Sequence, residues 1–278
     1  MKNILKIMLM MITIYTIAGS AVYAAEIPVS DQDQLITSRD WTEISNLQDE
    51  MKKEEPDATI DYDKALKVYV DCNLIKLQTA DTKKLTSALE SANYVWVIPF
   101  KMEKTYGMFT VAKGLPLREE AKSVLTKAEQ EEVKNHAGKW MITEIAEHTV
   151  EPYYDILLEK REALSDCTRV VLVGSQPGMR QPVALGMDDE TARIWISLGY
   201  QYPVMEKIPE TQNVESGVYS FESVADISDT YIEDSEVSTG AGVQSRSSMK
   251  YVAGIGIIVI GSILIFSVLK KKKLEDYE

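Results

Sequence analysis

Apolar and polar residues alternate through the middle of this chain in two rhythms, and long apolar runs lie near both ends. Leu66, Val68 and Val70 alternate with Lys67, Tyr69 and Asp71, the period of two expected of a half-buried strand. Asp81 is placed to cap a helix in which Leu85, Ala88, Leu89 and Ala92 share one face. The continuous apolar run at 94–98 predicts a strand covered on both sides, limited by Pro99, and residues 107–111 predict its hairpin partner. Residues 117–135 are helical by composition. Thr126 and Glu129 have the spacing of a capping box, and Gly138 ends the element. Strands are then expected at 140–145, 170–173, around Val183 and Leu185, and at 193–198. Pro152 opens a helix that carries Tyr153, Ile156, Leu157 and Leu164 on one face.

These elements predict an α+β domain over 57–206, with an antiparallel sheet and helices on one face. The order strand–helix–strand–strand occurs twice, at about 65–113 and 139–186. It admits either two equivalent halves or one irregular domain. Ahead of it, residues 25–56 form a polar segment with one helix around 41–53, capped by Ser38 or Asp40 and docked through Trp41. After it, 207–250 reads as an acidic, Ser/Thr-rich stalk, in which Val218, Tyr219, Phe221, Ile227, Tyr231 and Ile232 are the residues able to dock it locally or present it to a partner.

The ends set the address. Lys2 and Lys6 precede a short apolar stretch that closes on Val22-Tyr23-Ala24, the order of a secretory signal peptide spanning 1–24. Residues 251–269 contain no charged side chain, and as a helix they reach ~28 Å, close to the hydrocarbon thickness of a bilayer. Lys270, Lys271, Lys272 and Lys273 then act as a stop-transfer cluster, leaving 270–278 as a cytoplasmic tail and the N-terminal side outside the cell. The expectation is a single-pass cell-membrane protein. The absence of an Asn-x-Ser/Thr sequon points to a bacterial surface.

Charge narrows the partners. The chain has 43 acidic and 30 basic residues, a net charge of −13. Such a surface repels phosphate backbones, so nucleic acid is excluded as a partner, and basic partners or cations are favoured. Cys72 and Cys167 fall on the exported side, where a disulfide between them is a candidate; two buried thiols are the alternative.

No catalytic signature emerges. Glu144 and His148 are four apart, but in a predicted strand and without the zinc-protease pattern. Residues 187–190 and 61–63 are acidic clusters in turns that lack the ligand count of a calcium loop. Ser175 follows a strand but has Pro177 where a nucleophile elbow needs a helix to begin. Cys167 and His148 are the remaining thiol–imidazole candidates. Trp96, Trp140 and Trp195 on strands form either core or an aromatic recognition surface. The expectation is therefore a non-enzymatic binding or interaction module, with no cofactor and no metal, that engages an extracellular or membrane protein. A tethered hydrolase and an accessory subunit of a membrane complex are the alternatives.

Overall fold

The computed structural model describes residues 27–148, 151–174, 176, 179, 181–200 and 202–227. The expected signal peptide at 1–24, the expected membrane span at 251–269 and Lys270–Lys273 lie outside them. No helix among the described residues is long and apolar enough to cross a membrane.

The domain is α+β, built on a mixed and mostly antiparallel sheet. Its strands are β1 (Thr59–Ile60), β2 (Leu66–Val70), β3 (Asn93–Lys101), β4 (Tyr106–Lys113), β5 (Trp140–His148), β6 (Arg169–Val173), β7 (Val183–Met187), β8 (Ala192–Ser197), β9 (Asn213–Glu215) and β10 (Val218–Ser220). Across the sheet they run β5-β4-β3-β2-β6-β7-β8-β10-β9, with β1 added against β3. The helices are α1 (Trp41–Ile44), α2 (Gln48–Glu54), α3 (Thr82–Ser91), α4 (Glu119–Lys122), α5 (Lys127–His136), α6 (Tyr153–Glu159) and α7 over residues 221–227.

The two central strands decide the topology. β2 and β6 pair in parallel, Val68 beside Leu172 and Tyr69 beside Val173, and every other named strand pairing is antiparallel. From this pair one meander runs outward through β3, β4 and β5, and the other through β7 and β8. The two strand–helix–strand–strand stretches are therefore not equivalent halves. β5, the first strand of the second stretch, pairs with β4 of the first and is separated from β6 by three strands.

The expectation of helices on one face is also corrected. Side chains alternate across a strand, so Val171 and Val173 face one side of β6 while Val170 and Leu172 face the other. Leu85 and Leu89 of α3 pack with Val171, Val173, Val183, Leu185 and Trp195. Tyr153 and Leu157 of α6 pack with Leu66, Val68, Val170, Leu172 and Ile196 on the opposite side. Helices cover both faces because a central parallel pair is apolar on both, and each side must be shielded.

A third cluster extends the α3 face. Leu35, Ile44 and Met51 from the N-terminal segment, all fully buried, cover Trp96, Ile98, Phe100, Phe109, Val111 and Trp140 of β3–β5. The segment docks through these three side chains more than through Trp41, which is half-buried with its ring edge on Tyr62. The C-terminal boundary moves as well. Residues 207–227 are not stalk: β10 pairs with β8, and Val218, Phe221 and Val224 are buried. The few apolar residues at 218–227 are spaced to fill one strand face and one helix turn, which is enough to hold this acidic stretch on the sheet.

Candidate functional site

Among the described residues, two places combine concavity with chemistry. The first is a polar cavity of about 430 Å³ between the N-terminal segment and the end of α3, with Lys67 and Tyr94 in its wall. Lys67 points from β2 to the α3 face and is buried. Its ammonium lies 4.7 Å from the Tyr94 ring centre and 5.2 Å from that of Trp96. It also donates a hydrogen bond to the Gln32 carbonyl and pairs with Asp33 at 3.5 Å. Asp33, 2 % exposed, accepts from Ser30 at 2.6 Å, from the Tyr69 hydroxyl at 2.7 Å and from Arg169 at 2.9 Å.

Burial alone would raise the Asp33 carboxyl, but these donors outweigh it and hold it below the usual carboxylate value. Burial is the largest influence on Lys67 and lowers its ammonium despite the attraction of Asp33. Asp40 belongs to the same layer. It does not cap α1; its carboxylate instead accepts from Tyr94 at 2.9 Å and from the Trp96 indole N–H at 3.1 Å. The charges of this network are consumed by one another. Its chemistry is that of a clasp holding residues 30–40 on the sheet.

The second place is open. Beyond α6, toward the ends of β2 and β6, the α6 face of β2–β5 carries no helix among the described residues. It forms the floor of a groove of about 330 Å³ lined by Val68, Val95, Val97, Met108, Ala112 and Ala146. Strand alternation puts all six on one side. Tyr153 and Tyr200 close one end, with their hydroxyls 3.2 Å apart and their rings edge to face. Asp71, in the left-handed conformation at φ 60°, stands at the end of β2 and accepts from the Asn93 amide at 2.9 Å. Glu144 of β5, opposite Thr110, is exposed on the rim. An apolar floor with a few polar groups at its margin is the usual form of a ligand or peptide site.

The residues singled out from sequence do not assemble there. Trp96 and Trp195 are fully buried and Trp140 is 6 % exposed, so none offers a face for stacking on a ligand; all three serve the α3-side core. The candidate disulfide is corrected too: Cys72 and Cys167 are free thiols. Cys72 follows β2 and packs on the α3 side, whereas Cys167 precedes β6 and packs on the α6 side. Because β2 and β6 run parallel, the two sit at opposite ends of the sheet. At ~3.3 Å per residue that is roughly 20 Å or more, far beyond the reach of a bridge.

Burial pushes both thiols up to about 11, and Cys167 lies against Gly186, where an added Cβ would come within 2.8 Å of its sulfur. Such thiols are poor nucleophiles at neutral pH. Alkylation without reductant should therefore label two cysteines after unfolding and be slow on the native protein. An intact mass two hydrogens lighter with no labelling would show a bridge instead.

His148 ends β5, and β5 lies four strand spacings or ~19 Å across the sheet from β6, the strand that follows Cys167. His136 closes α5, near the opposite end of β5. Among the described residues no group of three His, Cys, Asp or Glu side chains is arranged to hold a metal. In the acidic turn after β7, Asp188 accepts from the backbone N–H groups of Glu190 and Thr191; these bonds lower its pKa and make it a turn former. Asp61 pairs with Lys64, which bridges to Asp155 of α6. Ser175 lies outside the described residues.

The groove itself escaped sequence reasoning. Its floor consists of ordinary strand residues, and only the absence of a covering helix among the described residues distinguishes it. Comparison with protein-family models, curated proteins and solved structures finds no match to this chain.

Proposed function

We propose that this chain is a single-pass, membrane-anchored extracytoplasmic protein whose folded domain is a non-enzymatic binding module, with the groove on the α6 face as its binding surface. The observation that carries the reading is that groove. Among the described residues no helix lies over an apolar floor spanning four strands, whereas α3 and α6 cover the centre of the sheet on its two faces. The separation of Cys167 from His148 removes the motivation for a hydrolase. The connection from β4 to β5 also favours a protein partner. A hairpin of a few residues would join these antiparallel neighbours, yet residues 115–139 form a helical excursion in which no described side chain is buried and Val124 is 81 % exposed. The stop-transfer lysines and the leader support the outward orientation, with the span at 251–269 and a spacer from residue 228 onward.

Protease treatment of intact cells that carry the full chain with a tag after residue 278 tests the topology. The expected result is release of the domain with the tag retained inside. Loss of the tag with an intact domain would reverse the orientation and end the reading.

A further inference from the structure

Resting on the groove as the binding surface, we propose that its partner is a cationic amphipathic polypeptide segment, with apolar side chains on the valine–methionine floor and a lysine or arginine beside Glu144. Three observations carry this assignment. Of the charged residues that line the groove among the described residues, Lys113 is turned away: its register puts its side chain on the α3 face, where the ammonium sits 5.1 Å from the centre of the Trp140 ring. That leaves Asp71 and Glu144, both carboxylates and both exposed.

Glu144 shares the groove with Tyr153 and Tyr200, which close its end with their hydroxyls 3.2 Å apart. A carboxylate and phenol oxygens in one groove suit an ammonium or guanidinium donor. The surroundings reinforce the local sign, since the chain as a whole carries −13 and would draw a basic segment in from a distance. The same charge repels anionic lipid headgroups, so a membrane surface is the poorer occupant. From β2 to β5 the floor measures ~14 Å, the length of about four extended residues, so two apolar side chains of an alternating segment would lie on it together.

The test uses the full-length chain in a nonionic detergent, with empty micelles as the blank. Its probes are three dye-labelled heptapeptides in which leucine alternates with lysine, glutamate or serine. The lysine peptide is expected to bind, more weakly as salt rises, and to lose at least tenfold in affinity to Glu144→Lys. The glutamate peptide should not bind. Glu144 is exposed, so thermal unfolding of that variant should match the parent. Equal binding of the lysine and glutamate peptides, or indifference to Glu144→Lys, overturns the cationic assignment. If the serine or glutamate peptide binds instead and Ala146→Asp abolishes it, the groove remains a binding surface for a different partner. If no peptide binds the parent chain, both readings fall.

Discussion

Replacing Asp33 with asparagine should destabilise the domain by about 3–5 kcal/mol, the range for removing one partner of a buried ion pair. For a domain of this size that is on the order of 10 °C in melting temperature. Every neighbour of the Asp33 carboxylate is a donor: Ser30, Tyr69, Lys67 and Arg169. An amide offers one acceptor oxygen in place of two and turns an N–H₂ group toward donors. Lys67 and Arg169 then stay where they are without the carboxylate that pairs them, which is the larger part of the penalty.

Two comparisons separate this cause from simple loss of contact. Tyr69→Phe removes one hydrogen bond and should cost only about 1 kcal/mol. Adding Lys67→Met to Asp33→Asn should recover part of the loss, because it withdraws an unpaired buried charge. If the double variant is less stable than Asp33→Asn alone, the clasp does not work as described.

The same carboxylate sets a pH dependence. Its folded-state pKa lies below the unfolded value near 3.9, so the folded state binds fewer protons and stability rises with pH through that interval. The contribution is complete above pH ~4 and disappears as pH falls through the folded pKa. Denaturant midpoints measured at pH 3 and pH 6 should therefore lie further apart for the parent than for Asp33→Asn.

Gly107→Val should be the most damaging single change in the sheet, at about 3 kcal/mol or more, with Gly107→Ala at about 1–3 kcal/mol. Gly107 stands opposite Phe100 across β3 and β4, and the Phe100 ring lies over the glycine. A Cβ built at Gly107 would come 2.1 Å from the Phe100 Cζ atom, far inside contact distance. The ring has nowhere to go, because Phe100 is 1 % exposed and packs against Phe109 with the ring centres 4.6 Å apart. An aromatic ring covering a cross-strand glycine makes up for the missing side chain, and this pair anchors the register of the β3–β4 hairpin. Shrinking the ring with Phe100→Leu should destabilise the parent yet be tolerated better in the Gly107→Ala background. Additive losses in chemical denaturation would show that the ring and the new methyl do not compete for the same space.

Most regular elements were legible wherever one periodicity dominated. Asp81 caps α3 by accepting from the Lys84 N–H, and Thr126 with Glu129 closes a capping box at α5, both as their spacing predicts. Strands β2 through β8 lie over the segments where apolar alternation or continuous apolar runs put them, but β3 continues through Pro99, which stands opposite Met108, to Lys101. Lys67 and Tyr69 read as the solvent side of β2, but the strand is central and both are buried. Periodicity identifies a strand's two faces, and only its place in the sheet says whether both are covered. Asp33 sits in a polar stretch with no local mark of burial, since only Ser30 among its partners is near in sequence and the others come from positions 67, 69 and 169.

By itself, the order of residues along this chain determined the local elements and their caps, an acidic surface, and the expectation of an exported, membrane-tethered protein. These depend on interactions within a few residues, or on totals that need no geometry. The parallel pairing of β2 with β6, the covering of both faces and the distance between the two thiols were decided only by the tertiary structure. So were the recruitment of residues 213–227 into the fold and the bare stretch of sheet that makes the groove. Each depends on which strands become neighbours, a choice made by contacts far apart in the chain that no short-range pattern encodes.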